Sequence, residues 1–164
     1  MPPNLWPKYA DKLAGGWKCI SFEVFDGTGP DKKLVGKPHG DEPLGRVLLS
    51  PTGFLSALMA VPQKINAPLP SGKSWQEAPD AEVANVARGL SCYAGYLQLF
   101  EDDEGLYWET KVDVATQPAN MGSKQVRRVK YFEENGKAYM ILQPVNDMVM
   151  LVSSICRMDR WSFE

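Results

Sequence analysis

The sequence is built mainly from short runs in which apolar and polar residues alternate, with turn-forming residues between them. Alternation with a period of two is typical of strands that bury one face, so the pattern predicts an antiparallel all-β protein. Ser-Pro-Thr-Gly at 50–53 and Asn-Gly at 135–136 predict two hairpin turns. The predicted strands cover residues 16–25, 45–50, 54–60, 91–100, 106–115, 124–133, 137–143 and 148–156, and residues 159–163 either end the last strand or form one more.

Helical spacing of apolar residues is confined to two segments. A short helix is predicted around residues 8–13, and one further helix over residues 80–90, between the early and the late strands. Residues 26–43 are rich in Gly, Pro and charge and predict a loop. Residues 61–79 contain four prolines, so this segment is not expected to form a regular element.

The number and order of these strands predict the architecture. Eight or nine short strands joined mostly by short connections favour a closed antiparallel barrel, because closure removes exposed strand edges. A two-sheet sandwich is the alternative. The 164 residues fit one domain spanning 1–164, since a domain takes roughly 100–200 residues.

Composition excludes several classes of function. A formal net charge of −2 argues against a nucleic-acid partner, and no apolar run is long enough for a membrane span. Three Cys residues and one His match neither a disulfide framework nor a common zinc set. No phosphate loop, dinucleotide motif or nucleophile elbow occurs, so no cofactor is implied. The N-terminus lacks the pattern of a signal peptide, and we expect a cytoplasmic protein with reduced thiols.

Several motifs in order along the chain carry a resemblance to a known family. They are Trp-Lys-Cys-Ile-Ser-Phe-Glu at 17–23, the Pro/Gly loop at 38–45, the hairpin at 49–57, Tyr-Ala-Gly at 93–95 and the segment at 117–128. Together they resemble a small lipocalin-like domain family with bacterial and fungal members. The resemblance covers residues 12–163 and implies a calycin-type barrel of eight strands with an internal cavity. Some fungal members resemble accessory proteins of secondary metabolism.

Alternation along the strands gives candidates for the barrel interior. Residues 106, 108, 110, 112 and 114 share one face, whereas Glu109 and Lys111 share the opposite, solvated face. The apolar and aromatic residues of the inner face either pack as a core or line a ligand cavity. The candidates for ligand contact are Trp108, Thr110, Phe54, Leu97, Val129, Tyr131, Met150, His39 and Trp75.

Three residues are candidates for catalysis: Arg127, Glu23 and Tyr93. If Trp17 points inward, strict alternation brings Glu23 inward, where it needs a cation, and Arg127 shares a face with other inward residues. A buried Glu23–Arg127 pair is then either part of a site or a structural pair, and two separate surface groups are the alternative. Arg127 and a tyrosine would donate hydrogen bonds to a substrate oxygen that gains charge.

Two loop residues leave alternatives open. His39 is either a solvated loop residue or an acid/base group at the barrel mouth. Trp75 lies in the proline-rich segment, which is a candidate lid.

Function remains divided among three hypotheses. The first is an enzyme that binds a small, largely hydrophobic metabolite and catalyses a cofactor-free cyclisation or isomerisation in a secondary-metabolite pathway. The second is a carrier without chemistry, and the third is a barrel filled by its own side chains. A homodimer is an open alternative to a monomer.

Overall fold

The computed structural model describes residues 2–27, 29–145 and 150–158, with residues 150–154 described by their backbone alone. The elements in chain order are α1 (Trp6–Leu13), β1 (Gly15–Asp26), β2 (Lys33–Gly36), β3 (Leu44–Leu49), β4 (Phe54–Ala60), α2 (Pro62–Ile65), α3 (Asp80–Ala87), β5 (Leu90–Asp102), β6 (Gly105–Ala115), a 3₁₀ helix (Pro118–Asn120), β7 (Lys124–Glu134), β8 (Lys137–Pro144) and β9 (Met150–Met158). The possible strand at 159–163 lies outside the described residues.

The strands form one antiparallel sheet that closes on itself. Their order is β2-β1-β3-β4-β5-β6-β7-β8-β9, and β1 also pairs with β9 from Trp17 opposite Met158 to Asp26 opposite Met150. This seam joins the first and last long strands, so eight strands make a barrel and β2 is an additional strand beside it. The predicted barrel is confirmed, and the sandwich alternative is excluded.

β2, α2 and the 3₁₀ helix lie where the sequence predicted no regular element. β2 lies inside the predicted loop at 26–43 and pairs with the end of β1 through Val24, Phe25 and Asp26. With only four residues, β2 is too short to show alternation. α2 lies inside the proline-rich segment. A helix is possible there because its proline occupies the first turn, where the missing N–H costs no hydrogen bond. The predicted helix at 80–90 ends at Ala87, and β5 begins at Leu90.

α1 seals one end of the barrel. The Trp6 indole N–H donates to the Pro51 carbonyl oxygen at 2.9 Å, in the turn between β3 and β4. Asn4 Oδ1 accepts hydrogen bonds from the backbone N–H groups of Trp6 (3.0 Å) and Leu99 (2.9 Å), which ties the N-terminal segment to β5. Trp6 and Leu13 are buried in the core. We call this end the helix end, and we call the opposite end, where β4 ends and β5 begins, the loop end.

Below α1 lies a fully buried tryptophan. Trp17 is 0% exposed, and its indole N–H donates to the Leu13 carbonyl oxygen at 2.9 Å. Its ring meets that of Tyr131 edge to face, with centroids 6.4 Å apart. The prediction that Trp17 points inward is confirmed, and its side chain joins the helix to the barrel core.

The inner faces follow the predicted alternation except where the ladder is irregular. The inner face of β5 is formed by Tyr93, Gly95, Leu97 and Leu99. Their ladder partners on β4 and β6, and the packing of Tyr93, Leu97 and Leu99 in the core cluster, establish this facing. Between β5 and β6 the register shifts at Ala94/Gly95, where β6 contains one residue more than β5. This extra residue reverses the side of the sheet to which the following residues of β6 point. Val114 was expected on the inner face but is 58% exposed on the outside.

Candidate functional site

Polar side chains gather on the inner faces of β6 and β7. Trp108 lies opposite Arg127 and Thr110 lies opposite Gln125 in the β6–β7 ladder. Directly paired residues of antiparallel strands point to the same face, so these four side chains form one inward-facing group. Arg127 and Gln125 belong to the early part of β7, which places them toward the loop end, away from α1.

Two polar atoms of this group have no hydrogen-bond partner within the described part of the chain. They are the indole nitrogen of Trp108 and the hydroxyl oxygen of Thr110, and both residues are fully buried. A buried polar atom left unpaired costs roughly 1–3 kcal/mol. Since native proteins pair nearly all such atoms with protein or water, the two orphans leave unused hydrogen-bonding capacity in the interior and make this the candidate site.

Arg127 and Tyr93 act on each other across the interior. Burial raises the pKa of the Tyr93 phenol, and the positive charge of Arg127 partly opposes that rise. The phenol is therefore protonated at neutral pH and can donate a hydrogen bond. The Arg127 guanidinium donates to the Val126 carbonyl oxygen (2.8 Å) and to Gln125 Oε1 (3.2 Å). These bonds hold the guanidinium against Gln125, the ladder partner of Thr110.

Arg128, the neighbouring arginine, faces outward. Its guanidinium donates to Asp102 Oδ1 (2.6 Å), Asp102 Oδ2 (3.1 Å) and Glu104 Oε2 (3.0 Å) in the turn before β6. The hydrogen bond from Arg128 holds the pKa of the Asp102 carboxyl below its usual range. Of the two adjacent arginines, Arg127 is therefore the interior one.

The expected Glu23–Arg127 pair does not form. The register between β1 and β9 shifts between Cys19 and Ser21, and the extra residue reverses the facing of the strand beyond it. Phe22 therefore packs against the core, and Glu23 points to the other face. The pKa of Lys37 is raised by its hydrogen bond and its attraction to Asp41, and to a smaller extent by Glu23. The carboxylate of Glu23 thus lies toward the loop after β2, and its predicted inward position is wrong.

The remaining barrel candidates divide by face. Leu97 and Val129 are buried inside, and Tyr131 packs against the core while its hydroxyl donates to Glu133 Oε1 at 2.5 Å. The prediction that Phe54 contacts a ligand in the interior is wrong. Phe54 pairs with the exposed Tyr96 in the β4–β5 ladder, and the two ring centroids lie 5.2 Å apart, so Phe54 faces outward. The sequence offered no sign of this, because Phe54 and Leu55 are both apolar and either could begin the inner face. The side chain of Met150 lies outside the described part.

His39 and Trp75, the two loop candidates, lie in different surroundings. The His39 ring meets Phe22 edge to face with centroids 4.5 Å apart, and its Nδ1 is 3.2 Å from the Ala60 carbonyl oxygen. His39 is therefore held at the loop end, next to a core residue. Trp75 is 46% exposed, and its segment is tied to α3 by hydrogen bonds from Ser71 to Glu82. A lid role for this segment stays a prediction.

Gln125 and Cys156 both face the barrel interior but were not among the candidates from the sequence. Gln125 holds the Arg127 guanidinium, and the Cys156 thiol lies close enough to influence the pKa of Tyr93. The alternation of β7 could have indicated Gln125, which is two residues before Arg127. Cys156 carries no such signal, because a cysteine at an inward position is most often an ordinary small core residue.

A second concave region lies on the outer wall. It is a groove of about 340 Å³ whose outward-facing residues on β4, β5 and β6 include Leu58, Cys92 and Val114. Its polar groups are paired: the backbone N–H of Cys92 donates to Thr116 Oγ1 at 3.0 Å, and the Thr116 hydroxyl donates to the Cys92 carbonyl oxygen at 3.3 Å. The interior, with its unpaired buried atoms, is therefore the stronger site.

The strands define a closed antiparallel barrel of lipocalin-like architecture, a class whose interior has room for side chains or one small ligand. The chain belongs to the lipocalin-like domain family, whose model matches residues 14–152. Neither the curated proteins nor the solved structures contain a significant match to the chain. Among the described residues, no helix has the length and apolar character needed to cross a bilayer.

Proposed function

We propose that the protein binds a small, largely apolar molecule inside the barrel, with an oxygen of that molecule held by the interior polar group. The observation that carries this proposal is the pair of buried, unpartnered atoms, Trp108 Nε1 and Thr110 Oγ1. The indole N–H is only a donor, whereas the hydroxyl both donates and accepts. Trp108, Tyr93 and Arg127 all supply donors, so the ligand needs an acceptor such as a carbonyl, carboxylate or other oxyanion.

Apart from Thr110, the fully buried residues among those described are apolar. Leu97, Leu99, Val129, Met140 and Leu142 are buried and belong to one core cluster. Burial of apolar ligand surface against such walls supplies most of the binding energy, at roughly 25 cal/mol per Å². A few polar groups then fix the orientation, which is the usual division of labour in a small-molecule site. The ligand class is therefore an apolar molecule with one oxygen-bearing end.

Replacement of Arg127 by methionine tests whether the interior holds that oxygen. Anilinonaphthalene sulfonate is a suitable probe, because it is apolar, carries an oxyanion and fluoresces when bound. Since a hydrogen bond to a charged group contributes about 1.5–3 kcal/mol, we expect Arg127→Met to weaken binding roughly 10- to 100-fold. Arg128→Met removes the outward neighbour and should leave the Kd unchanged. Equal affinity in both variants would remove Arg127 from the site.

Replacement of Thr110 by valine separates the ligand role of the hydroxyl from a structural role. Because the buried hydroxyl has no partner among the described residues, valine should leave the free energy of unfolding unchanged or raise it by about 1 kcal/mol. Thr116→Val is the matched control, since the Thr116 hydroxyl is paired with Cys92, and it should lower stability by about 1 kcal/mol. Urea unfolding of the ligand-free variants gives both values. A large loss in Thr110→Val would show that the hydroxyl is structural.

A cofactor-free cyclisation or isomerisation is the second candidate function, and the electrostatic interaction between Tyr93 and Arg127 favours it. Two donors facing the same interior can stabilise an oxygen that gains negative charge, in a site that orients an apolar substrate. Both reactions conserve elemental composition. Incubation with a metabolite extract of the source organism, followed by mass spectrometry, should therefore show a compound replaced by an isomer of identical mass. Recovery of bound compounds unchanged supports a carrier, and a place in secondary metabolism stays a prediction from the resemblance.

A further inference from the structure

Two cysteines face each other across the seam that closes the barrel. Cys19 of β1 is the direct ladder partner of Cys156 of β9. Both side chains are buried and belong to the same core cluster, so both thiols point inward. Both cysteines are free thiols, and each lies close enough to shift the pKa of the other.

This ladder position meets the Cα separation that a disulfide requires. Directly opposed residues of an antiparallel pair have Cα atoms roughly 4.5–5.5 Å apart, and a disulfide takes Cα separations of about 4.4–6.8 Å. We propose that Cys19 and Cys156 form a peroxide-oxidisable dithiol, which closes a disulfide across the β1–β9 seam. The third cysteine, Cys92, lies on the outer wall and faces the groove instead of the seam.

The two thiols differ in the way that the reaction requires. The interaction with Cys156 lowers the pKa of Cys19, and the same interaction together with burial raises the pKa of Cys156. The Cys19 thiolate is therefore the first nucleophile. The Cys19 sulfur also lies 3.3 Å from the Ser21 carbonyl oxygen, at the register shift that interrupts the β1–β9 ladder.

The oxidation balances with a hydroperoxide as the oxidant. The Cys19 thiolate attacks one peroxide oxygen, the O–O bond breaks, and the leaving oxygen takes a proton, which gives a sulfenic acid and an alcohol or water. Cys156 then loses its proton, its sulfur attacks the sulfenic sulfur, and hydroxide leaves as water. In sum, two thiols and one hydroperoxide give one disulfide, one water and one alcohol, or two waters when the oxidant is hydrogen peroxide.

The test uses the full chain with Cys92→Ser, so that the two seam thiols are the only ones present. Hydrogen peroxide in small excess should remove two hydrogen atoms from the intact mass, and digestion should yield a cross-linked peptide containing Cys19 and Cys156. Dithiothreitol should restore both thiols. Because the disulfide closes a long loop, the oxidised form should melt about 10 °C higher than the reduced form.

Matched variants separate this proposal from other oxidation. In Cys19→Ser/Cys92→Ser and in Cys156→Ser/Cys92→Ser the same treatment should cause no loss of hydrogen and no rise in melting temperature. Oxygen added at either thiol without a cross-link would overturn the proposal. The proposal would also fail if both thiols stayed intact in the folded protein under a treatment that cross-links them in the urea-unfolded chain. The readout uses no ligand, so its outcome is independent of the proposed function of the interior.

Discussion

Gly95→Ala is expected to lower the free energy of unfolding by about 3 kcal/mol, the upper part of the usual range for overpacking. A Cβ at this position would lie 1.8 Å from the backbone carbonyl oxygen of Lys111 and 2.8 Å from its carbon. Both atoms belong to the backbone of β6, so they cannot move aside as a side chain could. Alanine therefore forces β5 and β6 apart at the register shift that shapes this part of the wall.

The measurement is equilibrium unfolding in urea, and Gly36→Ala is the matched control. Gly36 also lies in a strand, but a Cβ there meets no atom within 4 Å. The control should change stability by no more than about 0.5 kcal/mol. If Gly95→Ala were as stable as Gly36→Ala, the close approach of β5 to Lys111 could not be a constraint on the fold.

Trp17→Ala is expected to cost about 3–5 kcal/mol, the usual loss for a large aromatic residue removed from a core. Three interactions disappear together: the burial of the whole ring, its hydrogen bond to the Leu13 carbonyl oxygen, and its edge-to-face contact with Tyr131. The loss is large because Trp17 packs against both α1 and the barrel walls, so no single element can move in to fill the cavity.

Two comparisons give this prediction its controls. Trp75→Ala removes the same side chain from an exposed position and should change stability by less than about 0.5 kcal/mol. Trp17→Phe retains most of the buried ring but loses the indole N–H, so its cost should fall between those of the two alanine variants. A cost for Trp17→Ala no greater than that for Trp75→Ala would contradict the role of Trp17 as the link between helix and barrel.

Local signals made most of the fold predictable from the sequence. The turn between β7 and β8 illustrates this, because Asn135 and Gly136 both adopt positive φ, at 51° and 72°. This is the conformation that Asn-Gly favours in a two-residue hairpin, so the sequence located the turn and its two strands correctly. Alternation likewise placed Trp108 and Thr110 on the inner face of β6.

The errors in facing in β1 and β6 arise because each of these strands contains one extra residue. A single added residue reverses the facing of everything beyond it, and the sequence carries no mark of where the addition falls. In β1 this reversal turned Glu23 away from the interior and brought Phe22 in. In β6 it turned Val114 outward. A candidate site inferred from alternation is therefore reliable only up to the first irregularity in its strand.

The seal formed by α1 also gives the barrel a direction. With Trp6, Leu13 and Trp17 buried at the helix end, a ligand bound as proposed would enter from the loop end and leave by the same route. Its apolar end would go in first, because Arg127, the proposed partner of its oxygen, lies toward the loop end. In that orientation the distance from Arg127 to the Trp17 ring would limit the length of the ligand, so we expect short members of a homologous series to bind more tightly than those with longer tails.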